Sequence, residues 1–175
     1  MSSQPRLEFE QTVALSLQGY SLRSSTDADR AFERCLFESA RSDAMLLAAW
    51  PDRVRRPFLD QQFHFQTTHY ARAHPSADWL LVVKDDDAIG RMILDRAEEE
   101  WCLVDIALLP PWRGKGIGSK LLLSVLADAA RMHARVRLTV DANNRAQRLY
   151  ARLGFAIDND GFPNVGMVWR PAPLS

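Results

Sequence analysis

The chain has 175 residues, of which 47% are hydrophobic and 25% are charged, a balance that predicts one globular domain with a sizeable core. Because 22 Lys and Arg residues offset 22 Asp and Glu residues, the overall charge gives no reason to expect nucleic acid or an anionic membrane as a partner. The first residues lack the apolar core of a signal peptide, no apolar run approaches the ~20 residues of a membrane helix, and the two cysteines fit a reducing compartment, so we expect a cytoplasmic protein.

The N-terminal part of the chain predicts a strand followed by two helices. Residues 19–23 have the character of a short strand, and Thr26 with Asp27 supplies an N-cap for the first helix. A second helical pattern runs from about residue 57 to residue 73. Its apolar face carries Leu59, Phe63, Gln66 and Tyr70.

A change of period near residue 79 predicts a run of strands. Residues 79–84, 88–94 and 101–108 are apolar runs of strand length, and short polar turns such as Asp85-Asp86-Asp87 separate them. Runs this closely spaced are typical of an antiparallel meander. Pro110 and Pro111 end the third strand, because proline supplies no donor to the ladder.

The rest of the chain alternates helices with strands. A helix with an apolar stripe follows residue 116, and residues 136–140 alternate as a strand, so this strand–helix–strand unit predicts a parallel crossover. Asn143 or Asn144 is expected to cap a further helix that ends at Gly154, and residues 155–157 and 165–169 are the last candidate strands. The predicted fold is α/β, with a mixed sheet that is mostly antiparallel at its start.

The loop RGKGIGS, residues 113–119, places three glycines where a helix begins. The first amides of a helix have no partner within it, and together with the helix dipole they attract anions. Gly114, Gly116 and Gly118 lack the Cβ atoms that would hold a phosphate away, and Arg113 and Lys115 add positive charge at the rim. The residues alone leave two interpretations open, an anion site or a plain flexible turn. Their order matches neither a Walker A loop nor the GxGxxG dinucleotide motif.

Two blocks of the C-terminal half carry a resemblance to a known family. The first is IALLPPWRGKGIGSKLLLSVL. It contains the pattern [RQ]-x-x-G-x-[GA], whose fixed positions are Arg113, Gly116 and Gly118 in this chain. The second, NNRAQRLYARLGF, covers residues 143–155. In this order and spacing the two blocks resemble the GNAT superfamily of N-acetyltransferases, over residues 79–170. The residues before them share only the coarse strand–helix–helix order.

The resemblance implies a single GNAT-like domain over residues 1–175, whose mixed, mostly antiparallel central sheet is flanked by helices and holds acetyl-CoA between two splayed parallel strands. It implies an acetyl-CoA-dependent N-acetyltransferase that moves an acetyl group to a primary amine of a small molecule or peptide by direct attack on the thioester. A homodimer is plausible. The implied cofactor-binding residues are Ile106 and Leu108 for the pantetheine arm, Asn143 near the thioester and, for the pyrophosphate, Arg113, Gly114, Lys115, Gly116, Ile117, Gly118 and Ser119.

Two residues are candidates for proton transfer. The resemblance implies that Tyr150 is the acid for the departing thiolate, whereas its helical spacing alone favours a core aromatic. Asp105, in an otherwise apolar strand, either faces the cleft and accepts the proton of the amine through water or binds a neighbouring backbone group. Glu99 and Glu100 are expected to be solvated at a turn. The four histidines form no HExxH motif and no clear same-face pair, so no metal site is expected.

Two other functions fit the same residues. A noncatalytic acyl-CoA-binding sensor or scaffold would need the same glycine loop, although the intact Tyr150 argues mildly against it. A different phosphate-ligand protein, such as a nucleotide binder, would also use free amides at the start of a helix.

Overall fold

Seven strands form one mixed sheet within the part of the chain that the structure describes. The computed structural model describes residues 19–41, 47–97 and 99–172, and the N-terminal residues that carry the signal-peptide expectation lie outside these ranges. The strands are β1 (Tyr20–Ser24), β2 (Asp78–Lys84), β3 (Asp87–Arg96), β4 (Glu100–Leu108), β5 (Arg135–Asp141), β6 (Ala156–Asp160) and β7 (Asn164–Trp169). They follow the order β1-β2-β3-β4-β5-β7-β6, in which β4 and β5 are parallel and all the other neighbours are antiparallel.

The sheet is flanked by the helices α1 (Arg30–Ala40), α2 (Asp52–Ala73), α3 (Ile117–Arg131) and α4 (Ala146–Arg152). On one face, Leu121 and Val125 of α3 join Met92 of β3 in the main apolar core. Helix α1 lies on the opposite face, because its Glu33 approaches Arg91, whose side chain alternates with that of Met92 along β3. A second apolar cluster connects α1 with α2 and consists of Phe37, Leu47, Leu59 and Phe63. No helix among the described residues has both the length and the apolar character needed to cross a membrane.

The predicted order of elements is confirmed, including the antiparallel meander and the parallel crossover through α3. The predicted start of α2 is wrong, because the helix begins at Asp52, directly after Pro51, and Pro57 lies inside it. Asp52 favours the earlier start, since its carboxylate lies at the positive end of the helix and forms ion pairs with Arg55 and Arg56. Proline at position 57 removes one helical hydrogen bond without ending the helix.

The parallel strands β4 and β5 separate partway along their length. They pair from Glu100 with Arg135 to Leu103 with Leu138, and the pairing ends there. The separation coincides with a β-bulge, because the register of β4 on β3 shifts by one residue and leaves Val104 extra. The later residues of both strands line a V-shaped cleft that opens toward the glycine loop. The splayed parallel pair implied by the resemblance is therefore confirmed.

Ion pairs reinforce the closed end of this cleft. The carboxylate of Glu100 on β4 contacts Arg135 through one oxygen and Arg137 through the other, the latter at 2.8 Å. The backbone N–H of Arg135 also donates to the carbonyl of Glu99 at 3.0 Å. Glu100, expected to be only solvated, instead helps to hold β4 against β5.

Candidate active site

The cleft between β4 and β5 contains a cavity of about 150 Å³. Its walls are residues 103–106 of β4 and 138–141 of β5, with Tyr70 of α2, Asn144 and Tyr150 of α4. The cavity therefore brings together Asp105 and Tyr150, the two candidates for proton transfer. A larger groove of about 370 Å³ runs between α1 and α2, but it is lined by neither sequence motif.

The backbone of β4 offers hydrogen-bonding groups to the cleft at alternate residues. The N–H of Leu109 donates to the carbonyl of Ile89 at 2.9 Å, so the odd-numbered residues of this part of β4 pair with β3. The backbone groups of Ile106 and Leu108 therefore point away from β3 and toward the cleft. An extended ligand such as a pantetheine arm requires this orientation of the two residues.

The glycine loop leaves open space beside its backbone. A Cβ atom on Gly114, Gly116 or Gly118 would have no neighbour within 4 Å. Gly114 and Gly116 have φ angles of 73° and 80°, which residues with a side chain rarely adopt. Gly118 has no positive φ and lies within α3, so neither backbone strain nor close packing explains a glycine there. A turn accounts for the first two glycines, whereas no feature of the folded chain itself requires the third.

The start of α3 supplies donors beside this open space. No side chain caps the helix, and its first helical hydrogen bond runs from the N–H of Lys120 to the carbonyl of Gly116 at 3.1 Å. The N–H groups of Ile117, Gly118 and Ser119 precede that bond. Ile117 is 3% exposed and belongs to the main apolar core, which fixes the start of the helix against the sheet. Free donors and open space together fit a pyrophosphate group.

The two cations of the loop contact other parts of the protein. Arg113 donates from Nε to the carbonyl of Leu108 at 2.7 Å, and from Nη2 to the carbonyl and hydroxyl of Ser39 at 2.9 and 3.1 Å. The ammonium of Lys115 lies 5.0 Å from the centre of the Trp112 ring. Arg113 thus links the loop to β4 and to the end of α1. Because the carbonyl of Leu108 is bound, its N–H is the group left for the cleft.

Tyr150 is both a core aromatic and a cavity residue. Its side chain packs edge-to-face on Phe155, with the ring centroids 5.7 Å apart, and the residue is 7% exposed. Burial, and secondly the charge of Asp105, raise the pKa of Tyr150 to about 12. The phenol therefore keeps its proton at neutral pH and can donate a hydrogen bond.

Asp105 lines the cavity, and its partner is a guanidinium rather than a backbone group. Arg91 of β3 donates to Oδ2 of Asp105 from Nε at 3.0 Å and from Nη2 at 2.7 Å. Arg91 is 2% exposed, and its Nη1 has no hydrogen-bond partner, although Oε1 of Glu33 lies 3.9 Å away. Burial raises the pKa of Glu33, and the charge of Arg91 opposes this shift. Asp105 thus belongs to a buried ionic cluster that reaches α1.

Only one of the two asparagines before α4 reaches the cavity. Asn144 lines it, and its Oδ1 accepts a hydrogen bond at 2.9 Å from the N–H of Ala146, the first residue of α4. Asn143 is exposed, and its backbone N–H donates to Asp141 at 2.8 Å. Within the described ranges, no group of three or more His, Cys, Asp or Glu residues is arranged to hold a metal ion.

Two residues of the site were missed by sequence reasoning. Tyr70, which helical spacing places on one face with Leu59 and Phe63, was given no role in the site, but it lines the cavity. Arg91 interrupts the apolar run IGRMIL, and a charged residue inside a buried strand is a usable signal for an ion pair. Its partner Asp105 becomes evident only once β3 and β4 are in register.

The model of the acetyltransferase (GNAT) family matches residues 37–155. The chain belongs to this family. The match begins within α1, well before the two sequence motifs, and ends immediately before β6. It therefore includes α2 and Tyr70 as well as the glycine loop and α4.

Solved structures with the same fold include several N-acetyltransferases. PaiA N-acetyltransferase from Thermoplasma acidophilum, in complex with coenzyme A, has 15% identity and a TM-score of 0.65, over 86% of this chain and 98% of that chain. The ribosomal-protein-S18-alanine N-acetyltransferase from Escherichia coli has 15% identity and a TM-score of 0.61, over 89% of this chain and 96% of that chain. Arabidopsis thaliana Naa50, in complex with the bisubstrate analogue CoA-Ac-MVNAL, has 18% identity and a TM-score of 0.57, over 86% of this chain and 97% of that chain. At these identities the similarity establishes the GNAT fold.

Replacing Gly118 with alanine should separate helix stability from ligand binding in this GNAT chain. Alanine is the better helix residue by about 1 kcal/mol and its Cβ has room, so the free energy of unfolding should rise by up to about that amount. The same Cβ would occupy space expected for the pyrophosphate, so calorimetry should show about tenfold weaker coenzyme A binding. In the control Ala127→Gly, at an exposed position of α3, stability should fall by about 0.5–1 kcal/mol with unchanged affinity. Unchanged affinity in Gly118→Ala would exclude this loop as the pyrophosphate site.

Replacing Arg91 with methionine should destabilise the fold strongly, because Asp105 and Glu33 lose their buried cation. Urea denaturation should show a loss of about 3–5 kcal/mol in the free energy of unfolding, as for other broken buried pairs. The double variant Arg91→Met, Asp105→Asn should recover about 0.5–3 kcal/mol of this loss, because it also removes the uncompensated carboxylate. A loss below about 1 kcal/mol in the single variant, typical of surface pairs, would contradict this structural role.

Proposed function

We propose that this GNAT protein is an acetyl-CoA-dependent N-acetyltransferase that transfers an acetyl group to a primary amine of a small molecule or peptide. The observation that carries the proposal is that three features lie along one cleft. These are a glycine loop with open space beside it, backbone groups of Ile106 and Leu108 that do not pair with β3, and a cavity lined by Asp105 and Tyr150. The PaiA complex with coenzyme A supports the donor, and the Naa50 complex with CoA-Ac-MVNAL supports an amine of a peptide as one class of acceptor.

The loop and β4 would hold acetyl-CoA, which supplies the activated thioester. Amides of residues 113–119 would bind the pyrophosphate, and the side chain of Ile117 anchors them in the core. The backbone of Ile106 and the N–H of Leu108 would pair with the pantetheine arm. Asn144 lines the cavity and Asn143 does not, so we assign the position near the thioester to Asn144.

Two residues of the cavity would handle protons. A primary amine has a pKa of roughly 10.4, so it must lose a proton before it attacks. Asp105 is a carboxyl side chain of the cavity that would accept this proton directly or through water. Tyr150, with a pKa of about 12, is a weaker acid than a thiol, whose pKa is roughly 8.5. Its role is therefore hydrogen-bond donation to the developing thiolate. The N–H of Leu108 would stabilise negative charge on the acetyl oxygen.

Two measurements on the purified protein test the proposed function. Calorimetry with acetyl-CoA should show binding in the micromolar range, and thiol release should occur with at least one member of a panel of primary amines. Binding without thiol release on any amine would favour a noncatalytic acyl-CoA sensor. No binding of acetyl-CoA, with thermal stabilisation by ATP or NAD instead, would identify a nucleotide binder.

Replacing Tyr150 with phenylalanine should lower turnover much more than it lowers acetyl-CoA affinity. The ring and its packing on Phe155 are kept, and only the donor hydroxyl is lost. Removal of one such donor lowers kcat by about 10²–10³-fold in other enzymes, and we expect a loss in this range. Because the pKa of Tyr150 is about 12, the wild type should show no loss of kcat from deprotonation of this residue up to about pH 10. Full turnover in Tyr150→Phe would remove Tyr150 from the reaction.

A further inference from the structure

A second phenol reaches the reaction cavity from outside both sequence motifs. Tyr70 lies in the C-terminal part of α2, and its ring packs on Trp79 of β2 with the centroids 6.5 Å apart. The guanidinium of Arg91 lies 5.7 Å from the centre of the same Trp79 ring. Tyr70 lines the cavity together with Asp105 and Tyr150. Its ring is thus fixed by packing, and its hydroxyl end belongs to a polar site.

The charge of Asp105 raises the pKa of both phenols. Burial and, secondly, the charge of Asp105 raise the pKa of Tyr70 to about 12, and the charge of Arg91 opposes this shift. Tyr150 shows the same direction, the same value and the same two leading causes. The cavity is therefore lined by two protonated phenols and by two carboxyl side chains, that of Asp105 between them and that of the exposed Asp141 on β5. Each phenol oxygen can still accept a hydrogen bond while its proton is donated elsewhere.

Asp105, Tyr70 and Tyr150 together offer three acceptor groups, as many as the N–H donors of a primary ammonium ion. Such an ion carries three N–H donors, whereas the ammonium of an N-methylated amine carries two. We propose that the acceptor amine binds on Asp105, Tyr150 and Tyr70, and that Tyr70 is a specificity residue that favours primary over N-methylated amines. This inference rests on the proposed N-acetyltransferase function. It assigns to Tyr70 a contact with the acceptor and not a step in the chemistry.

The competing explanation is that Tyr70 is only a packing residue of α2. A change to phenylalanine distinguishes the two, because it keeps the ring against Trp79 and removes only the hydroxyl. Tyr20→Phe is the matched control. Tyr20 packs edge-to-face on Trp112 at 6.3 Å and does not line the cavity, so loss of its hydroxyl should leave the kinetics unchanged.

The test compares the KM of one accepted primary amine with the KM of its N-methyl derivative in wild type, Tyr70→Phe and Tyr20→Phe. In Tyr70→Phe we expect the KM of the primary amine to rise about tenfold, as for loss of one hydrogen bond to a charged group. The KM of the N-methyl amine should change less than about threefold, so the preference of the enzyme for the primary amine should nearly vanish. Acetyl-CoA affinity and the melting temperature should remain those of the wild type.

Three results would overturn the proposal in distinguishable ways. If the wild type acetylates none of the amines, the proposed function fails and the acceptor role of Tyr70 fails with it. If the wild type is active and Tyr70→Phe keeps both KM values, only the role of Tyr70 fails. If both KM values rise equally and the melting temperature falls, the hydroxyl serves the fold and not the choice of amine.

Discussion

The site depends on one interruption of backbone pairing, the point after Leu103 and Leu138 where β4 and β5 stop hydrogen bonding to each other. Peptide groups inside a protein need partners, so a sheet that stops pairing in its middle must offer its N–H and C=O groups to solvent or to a ligand. The bulge at Val104 marks this point, while β3 continues to pair with the other edge of β4. The result is a cleft whose wall consists of ordered but unpaired peptide groups.

The residues around the cleft come from distant parts of the chain, and two arginines connect them. Arg113 joins the glycine loop to the carbonyl of Leu108 and to Ser39 at the end of α1. Arg91 joins Asp105 on β4 to the neighbourhood of Glu33, also on α1. Both contacts end on α1, so a displacement of this helix against the sheet would disturb the loop and the carboxylate together. The glycine loop and Asp105 are therefore both connected to the same helix.

The elements of this fold could be predicted because their signals are local. Alternation and the 3.6-residue period report burial within each segment, and the glycine loop combines helix-start chemistry with missing Cβ atoms over a few residues. The start of α2 was harder to predict, because proline is common in the first turn of a helix and Pro57 therefore suggested a later start. The ion pairs of Asp52 with Arg55 and Arg56 favour the earlier start that the structure shows. The pairing of Arg91 with Asp105 and the orientation of Tyr70 depend on strand register and helix rotation. A one-residue bulge or a small rotation changes both without altering any periodicity.

Burial also determines how charge is divided in the cavity. Tyr70 and Tyr150 have pKa values raised to about 12, so neither supplies a phenolate at neutral pH. Asp105 already balances Arg91, and burial raises the pKa of Glu33 toward its neutral form. In the proposed reaction, an ammonium ion in the cavity would therefore share Asp105 with Arg91 and would be only partly neutralised. Partial neutralisation in a desolvated cleft lowers the pKa of an amine, which favours the neutral nucleophile. The burial that keeps the proton on Tyr150 would thus also promote loss of the proton from the acceptor of the proposed reaction.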